Sequence, residues 1–311
     1  MLDSYGRNIK YLRLSLTERC QLRCSYCAKS LGEECLKERE LSADSFVFAA
    51  KIFGELGFEK IRLTGGEPLL RRDILEIVSG IRNLGAYKDI AMTTNGIMLA
   101  DLADELKKAG LQRVNISIDS LDDKVYRSIT GSPLKNAVRG IEKAVETFEK
   151  VKLNVVVIKG VNDDAVNAFI GFARENPVDV RFIELMPMGA GGTGIKNKEI
   201  LKNNPYLKPC GAEPSSEPAR YYTAEGFCGR VGFISPMSAK FCSNCDRMRL
   251  TSDGKLRLCL GNNEEISIGE QLRKKDEEAA KKRIVSAILK KPKEGFEKGF
   301  STERKMNRIG G

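Results

Sequence analysis

Short apolar strands alternate with amphipathic helical segments through the first two thirds of this 311-residue chain. Strands are predicted near 9–16, 60–64, 89–94, 112–118, 152–158 and 180–186, and helices near 42–56, 73–84, 99–109, 134–149 and 163–175. A repeated strand–helix pattern predicts a parallel sheet, either an open doubly wound sheet or a full or partial barrel.

The strands themselves favour the barrel. In the first strand Leu12 and Leu14 face one way and Arg13 the other, and in the fourth Ile116 lies opposite Asn115. Strands of an open α/β sheet are covered on both sides and are usually continuous apolar runs. Because a buried polar face without partners is costly, this face is expected to line a wet lumen. The predicted fold is α/β, a partial (β/α)6 TIM-like barrel with a smaller C-terminal domain.

The pattern changes after Pro187. Residues 189–220 are rich in Gly, Pro, Ser and Asn, which predicts a loop or linker and places the domains at 1–188 and 189–311. The segment 189–194 fits GxGxxG, but Met186-Pro187-Met188 stands between the strand and the glycines, so we interpret the segment as a flexible loop. The charged run 270–292 is interpreted as a solvated amphipathic helix rather than a nucleic-acid-binding arm.

Composition excludes several chemistries. The chain has no histidine, which excludes histidine bases, histidine metal ligands and the usual catalytic triads. It has nine cysteines, an odd number without a recognisable export signal, which favours metal binding or redox work in the cytoplasm. No apolar run is long enough to span a membrane. The net charge of +10 suits an anionic partner such as a nucleotide, a nucleic acid or an acidic protein.

The strongest motif is the CxxxCxxC spacing of Cys20, Cys24 and Cys27, directly after the first predicted strand. Three thiolates on a short loop can bind three irons of a 4Fe–4S cubane and leave the fourth iron open for a substrate or cofactor. The alternative is a four-cysteine zinc or electron-transfer site with Cys35 as the fourth ligand.

A second motif, Gly65-Gly66-Glu67-Pro68, follows the second predicted strand. Its glycines allow the backbone to approach a ligand closely. Combined with CxxxCxxC, it resembles the radical S-adenosylmethionine superfamily. That resemblance implies that the cysteine-bound cluster chelates the amino and carboxylate groups of S-adenosylmethionine, and that the GGE motif holds its amino group.

A third motif comprises Cys242, Cys245 and Cys259. Cys228 lies thirteen residues before Cys242, so a four-cysteine structural zinc site is an open alternative. The alternating Arg247 and Arg249 beside these cysteines favour a site that holds phosphates or a polar base near a metal.

Together these motifs resemble the GTP 3',8-cyclase family of molybdenum cofactor biosynthesis. The resemblance runs through GRNIKYLRLSLTERCQLRCSYC, IRLTGGEPLLRRD, TTNG, NISIDSL, KLNVVV, RFIELMPMG, GFISP and FCSNCDRMRLTSDG, and ends with Gly310-Gly311. These segments span nearly the whole chain in the family's own order.

The resemblance implies roles for the matching residues. Two 4Fe–4S clusters are implied, held by Cys20, Cys24 and Cys27 and by Cys242, Cys245 and Cys259. The implied residues of the S-adenosylmethionine pocket are Tyr26, Gly66, Ser117 and Met186. The implied GTP-binding residues are Arg13, Arg62, Thr93, Lys152, Arg247, Met248 and Arg249. The implied catalytic residues are Arg247, Arg249 and a tail, Gly310 and Gly311, that reaches into the active site.

The implied reaction is radical conversion of GTP to 3',8-cyclo-7,8-dihydro-GTP, the first step of molybdenum cofactor biosynthesis. Cleavage of S-adenosylmethionine would give a 5'-deoxyadenosyl radical that removes H3' of GTP. The implied partners are a reduced ferredoxin or flavodoxin-type donor and a downstream cyclic pyranopterin monophosphate synthase, with no membrane or nucleic acid. The resemblance also allows a homodimer.

Some residues depart from the family. Asp246 stands where the family often carries Asn, residues 190–220 match loosely, and Cys35, Cys210 and Cys228 have no implied role. Two alternatives remain at this stage: a radical S-adenosylmethionine enzyme acting on another substrate such as a peptide, and a noncatalytic zinc-bearing nucleic-acid-binding module.

Overall fold

A computed structural model describes residues 1–27, 40–187, 192–211, 217–295 and 304–310. Its strands are β1 (Tyr11–Ser15), β2 (Lys60–Thr64), β3 (Asp89–Thr94), β4 (Arg113–Ser117), β5 (Val151–Val157), β6 (Val178–Glu184), β7 (Lys208–Cys210), β8 (Ala219–Thr223), β9 (Val231–Ile234), β10 (Arg247–Leu250), β11 (Lys255–Arg257) and β12 (Glu265–Ser267).

The described helices are α1 (Ala43–Glu55), α2 (Ile74–Asn83), α3 (Leu99–Ala109), α4 (Asp123–Thr130), α5 (Lys135–Thr147), α6 (Val166–Glu175), α7 (Asn197–Asn203), α8 (Gly269–Lys274), α9 (Glu277–Leu289) and α10 (Met306–Ile309). Short 3-10 turns occupy Pro68–Leu70, Asp163–Ala165 and Cys242–Asn244. None of the helices formed by the described residues is both long and apolar enough to cross a membrane.

The six predicted strands and five predicted helices of the barrel are present, each within three residues of its predicted bounds. Capping side chains fix some of the helix starts. The Ser42 hydroxyl accepts a hydrogen bond from the Ser45 amide at α1, and the Asp122 carboxylate accepts one from the Val125 amide at α4. Helix α4 was not predicted, because it is only eight residues long. The run 270–292 forms two helices, α8 and α9, separated by Lys275 in the left-handed region at φ 54°.

Strands β1 to β6 pair in parallel and in chain order, and C-terminal strands extend the sheet at both edges. Strand β9 pairs in parallel with β6, and β10 pairs in parallel with β1. The full order is β12-β11-β10-β1-β2-β3-β4-β5-β6-β9-β8-β7. The predicted partial barrel is confirmed. One sheet runs through both predicted domains, because residues after 188 supply both of its edges.

Strand alternation separates the apolar core from the lumen, as predicted. Leu12, Leu14 and Ile116 are fully buried in the hydrophobic core, whereas Arg13 and Arg62 line a cavity on the other face. The strand register brings the polar residues into rows across neighbouring strands, since Arg249, Arg13 and Arg62 lie side by side. The sheet therefore presents a continuous basic surface to the lumen.

Candidate active site in the barrel lumen

The lumen holds a cavity of about 890 Å³. Residues from β1 to β6, from β10 and from the C-terminal segment line it, and basic side chains outnumber acidic ones. Its size is suitable for small-molecule ligands, which typically occupy cavities of about 300–1,000 Å³.

The glycine motif holds the first cysteine loop against the barrel. The Gly66 amide donates to the Thr17 carbonyl at 2.7 Å, and the Glu67 amide donates to the Arg19 carbonyl at 2.7 Å. A Cβ atom on Gly66 would overlap the Arg19 carbonyl. The sequence suggested that these glycines make room for a ligand; the structure shows that Gly66, which also lines the cavity, makes room for the backbone that leads into Cys20.

Glu67 joins this loop to the next strand. Its fully buried carboxylate accepts hydrogen bonds from the Leu69 amide at 3.1 Å, the Thr94 hydroxyl at 2.7 Å and the Asn95 amide at 2.7 Å. Burial raises the pKa of Glu67 to about 7. Glu67 of the GGEP motif therefore connects its loop to the TTNG motif through hydrogen bonds from Thr94 and Asn95. Sequence spacing alone does not reveal this connection.

Cys20, Cys24 and Cys27 all line the cavity. Burial is the main cause that raises the pKa of each thiol, to about 12 for Cys20. The negative charges of Glu67 beside Cys20 and of Asp119 beside Cys24 add to it. Metal binding would require their thiolate form.

The predicted S-adenosylmethionine residues line the same end of the cavity. Gly66 and Ser117 lie at the carboxyl ends of β2 and β4, Met186 follows β6, and Tyr26 lies in the cysteine loop. The Tyr26 hydroxyl donates to Asp119, whose pKa burial raises to about 6. Sequence analysis missed Asp119, although its position directly after the NISI strand is a usable signal.

The predicted GTP residues Arg13, Arg62 and Arg249 form one row across three strands, and Arg247 lies beside Tyr11 in the neighbouring row. Burial, and then mutual repulsion, lower the pKa of Arg249 to about 10. Burial also lowers the pKa of Arg62 to about 10. Both groups remain cationic at neutral pH, so this wall of the cavity attracts anions.

The opposite wall carries Lys152 on β5. Its ammonium donates to the Glu217 carboxylate at 3.0 Å and to the Tyr221 hydroxyl at 2.8 Å. Burial, and then the charge of Arg181, lower its pKa to about 8. Thr93 also lines the cavity, and its buried hydroxyl has no hydrogen-bond partner among the described residues. Arg113 and Arg181 share this lining and were missed, although strand alternation places both on the polar face.

The second set of cysteines does not line the cavity, but its sequence neighbours Asp246 and Leu260 do. Cys242 begins a 3-10 turn, Cys245 precedes β10 and Cys259 follows β11. Burial would raise the pKa of Cys245, but the charges of Arg247 and Lys291 outweigh it and lower the pKa to about 7. Arg249 is close enough to Cys245 and Cys259 for both thiols to influence its pKa. A partly ionised thiol fits a metal centre at this position.

Of the remaining predicted site residues, Met248 lies away from the cavity and Gly310 lies beside Arg249. The Met248 side chain lies on the opposite face of β10, fully buried in the hydrophobic core, and does not line the cavity. Gly310 is buried beside Ser15 and Thr64, and its carbonyl accepts a hydrogen bond from Arg249. Gly311 lies outside the described residues, as does Cys35.

Each site supplies three described cysteines, the number that a 4Fe–4S cubane with one open iron takes. Cys228 is exposed, and its amide donates to the Arg174 carbonyl at the end of α6. Within the described ranges, no three Cys, His, Asp or Glu side chains are grouped as they would be around a single metal ion.

Comparisons with known proteins agree with these features. A family model for the radical SAM superfamily matches residues 14–173, and one for Molybdenum Cofactor Synthesis C matches residues 178–297. GTP 3',8-cyclase of Alkaliphilus oremlandii is 45% identical over 323 residues that span 100% of both chains. GTP 3',8-cyclase of Peptoclostridium acidaminophilum is 41% identical over 100% of this chain and 98% of its own length.

Solved structures support the fold. Streptococcus suis SuiB bound to precursor peptide SuiA has a TM-score of 0.63 at 14% identity, over 96% of this chain and 69% of that chain. SuiB bound to S-adenosylmethionine has a TM-score of 0.59 at 15% identity, over 85% of this chain and 64% of that chain, which is less than two thirds of its length. At such identities the likeness concerns the fold alone. The full-length relatives place this chain in the GTP 3',8-cyclase family of radical S-adenosylmethionine enzymes.

Proposed function

We propose that this protein is a GTP 3',8-cyclase, which converts GTP to 3',8-cyclo-7,8-dihydro-GTP and so begins molybdenum cofactor biosynthesis. The observation that carries the proposal is one cavity lined by Cys20, Cys24 and Cys27 and by a row of arginines along one wall, with the sequence neighbours of Cys245 and Cys259, Asp246 and Leu260, in the same lining. Full-length relatives at 41–45% identity support the same activity.

Residues at the carboxyl ends of the strands would hold S-adenosylmethionine. Cys20, Cys24 and Cys27 would bind the first 4Fe–4S cluster, which when present supplies the electron that cleaves S-adenosylmethionine to a 5'-deoxyadenosyl radical. Tyr26 and Ser117 line this end of the cavity and would orient the cofactor.

Basic residues along the lumen would hold GTP. Arg13, Arg62 and Lys152 offer cationic donors to phosphates, and the unpartnered Thr93 hydroxyl can accept or donate one further hydrogen bond. The buried Arg62 Nε has no hydrogen-bond partner among the described residues, and a triphosphate would provide an acceptor. Holding both ligands in one enclosed cavity fixes the distance between them and excludes water.

The C-terminal tail would complete the site. Asn307 donates to the Glu18 carbonyl at 3.1 Å, and Arg308 pairs with the Glu18 carboxylate at 2.9 Å. Gly310 then reaches Arg249, which we propose acts with Arg247 on the substrate. Cys242, Cys245 and Cys259 would bind the second cluster beside the guanine end of GTP.

Other parts of the proposal concern the surroundings of the reaction. A reduced ferredoxin or flavodoxin-type protein would supply electrons, and a cyclic pyranopterin monophosphate synthase would use the product. The described cysteines are all free thiols, which supports a reducing compartment such as the cytoplasm. The division into domains at 188/189 stays a prediction.

The experiment is anaerobic reconstitution followed by iron and sulfide analysis and incubation with S-adenosylmethionine, dithionite and GTP. We expect about eight irons per chain, as two cubanes require. 5'-Deoxyadenosine and a cyclised GTP product should appear only when all three reactants are present. Deoxyadenosine without any change in GTP, but with modification of a peptide, would instead support the peptide-modifying alternative. Zinc in place of iron would contradict both.

A further inference from the structure

Glu217 lines the cavity and places a carboxylate on the lysine that is proposed to bind phosphate. Its Oε1 accepts a hydrogen bond from the Lys152 ammonium at 3.0 Å, and the two groups form an ion pair. The Tyr221 hydroxyl accepts a second hydrogen bond from the same ammonium, which has three donors in all. A phosphate brought to Lys152 would therefore either displace the Glu217 carboxylate or lie beside a group of the same charge.

The surroundings of Glu217 are those of an anion site. Burial would raise the pKa of Glu217, but the charge and hydrogen bond of Lys152, followed by the charges of Arg181 and Arg113, outweigh it and lower the pKa. Both arginines line the same cavity. Three cations thus act on one carboxylate, which is ionised at neutral pH. A phosphate among these cations would be attracted by the same charges and repelled by Glu217.

Glu217 is better able to leave Lys152 than the other nearby carboxylate. Asp179 lies 3.9 Å from the ammonium, and Arg230 holds it with two hydrogen bonds, at 2.9 and 2.6 Å. The Glu217 side chain is 45% exposed, whereas that of Lys152 is 7% exposed. Glu217 can therefore turn toward solvent at little cost. Lys152 would stay in place, because its hydrogen bond to Tyr221, at 2.8 Å, does not depend on Glu217.

We infer that Glu217 is a specificity-determining residue, whose carboxylate competes with a phosphate of the substrate for Lys152 and so lowers the preference of the cavity for phosphorylated ligands. The inference rests on the proposed function, which assigns Lys152 to the phosphates of GTP. Because Glu217 has to leave before a phosphate takes its place, part of the attraction between the cavity and GTP is spent on breaking the ion pair.

The test compares GTP with guanosine, which lacks the phosphates, and with inorganic triphosphate, which lacks the nucleoside. Dissociation constants are measured by anaerobic equilibrium dialysis with the reconstituted wild-type protein and with E217A and E217Q. E217A should bind GTP and inorganic triphosphate about fivefold more tightly, the upper end of what a partly exposed ion pair contributes. Guanosine should bind the two proteins equally. E217Q keeps the size of the side chain without its charge, so it should also bind both phosphorylated ligands more tightly.

The control is E149A. Glu149 also lines the cavity and is exposed. Among the described residues, Lys152 forms ion pairs with Glu217 and Asp179 and not with Glu149. E149A removes one negative charge from the same lining, and it should change the affinity for GTP by less than about twofold, because salt screens exposed charges. Iron content and the electron paramagnetic resonance spectrum of each variant report whether both clusters are intact.

Three results would overturn the inference while leaving the cyclase proposal in place. In the first, E217A and E217Q bind GTP and inorganic triphosphate no more tightly than the wild type, so that Glu217 only fastens the start of β8 to the barrel. In the second, guanosine gains affinity by the same factor as GTP. In the third, E149A gains as much as E217A, which would assign the effect to net charge.

Either glutamate variant decides the test if the other fails to assemble its clusters, since both remove the charge. Failure of the proposed function looks different. Wild-type protein with both clusters would then cleave S-adenosylmethionine and leave GTP unchanged, while the binding of inorganic triphosphate would still show whether Glu217 competes for Lys152.

Discussion

The two cysteine sites contain the same number of thiols in opposite electrostatic surroundings. At the first site, burial and the acidic Glu67 and Asp119 raise the thiol pKa values. At the second, Arg247 and Lys291 lower the pKa of Cys245 to about 7. Neighbouring charge, rather than cysteine spacing, therefore distinguishes the site proposed to bind the cationic cofactor from the site proposed to hold the anionic substrate.

The largest expected effect separates the two sites by function. C24A should abolish 5'-deoxyadenosine formation, because the first site is proposed to bind the cluster that cleaves S-adenosylmethionine. C245A should keep that cleavage but lose cyclised product, because the second site is proposed to hold the substrate. Deoxyadenosine and product are measured by liquid chromatography on the same reactions. The exposed Cys228 supplies the control, since C228A should retain both. Equal loss of deoxyadenosine in C24A and C245A would remove the functional distinction.

The next effect concerns the tail that connects the two sites. Gly310 has φ 80°, accepts from Arg249 near the second site and packs beside Ser15 on the strand that leads to the first. An alanine there would be strained and would overlap the Thr64 hydroxyl. Displacing the tail should lower kcat about a hundredfold, as a misplaced catalytic group does.

The control for that prediction is G226A. Gly226 has a similar φ of 76°, with no atom near the position of an added Cβ. Product formation by G226A should stay close to that of the wild type, and iron content should be normal in both variants. If the kcat of G310A is unchanged, the tail only closes the barrel and has no role in catalysis.

A third effect tests the positive charge at the second site. Lys291 is 3% exposed, and its ammonium donates to the Leu258 carbonyl at 2.6 Å, beside Cys259. K291M removes that hydrogen bond and a cation near Cys245. We expect about tenfold faster iron loss to a chelator from the second site only, since a buried hydrogen bond to a charged group contributes about 1.5–3 kcal/mol. The exposed neighbour Lys290 gives the control, K290M. Iron loss that is faster at the first site would reverse the comparison.

Much of this site could be predicted from the sequence. The alternation in β1 and β2 predicted that Arg13 and Arg62 lie in the lumen, because successive side chains of a strand point to opposite faces of the sheet. The same period, applied to Met248 between Arg247 and Arg249, would have placed its side chain in the core, where the structure has it.

Contacts between distant segments could not be predicted. The carboxylate of Glu67 joins two loops that are 28 residues apart, and Lys291 reaches the chain beside Cys259 across 33 residues. Such pairs depend on how the strands pack, and no local pattern encodes them. At the second site Arg247, the larger of the two charges that lower the pKa of Cys245, lies two residues away in the same motif, whereas Lys291 is a distant contact that the motif does not encode.

The smallest expected effect concerns the charge of Lys152, which lines the lumen. Lys152 has a pKa of about 8, lowered chiefly by burial, so the ligand-free protein loses this cation as pH rises through that value. GTP binding requires the ammonium and should raise its pKa. Between about pH 7 and about pH 8.5 the protonated fraction falls from about 0.9 to about 0.25, so GTP affinity should weaken about fourfold.

Isothermal titration calorimetry at several pH values measures this change, and proton uptake on binding should be greatest near the alkaline end. K152R keeps a cation whose pKa lies far above this range, so its GTP affinity should vary less with pH. If wild type and K152R show the same pH profile, Lys152 is not the titrating group. In that case the arginines beside the second site would carry the phosphate-binding charge. The difference in positive charge between the two ends of the cavity would then be larger.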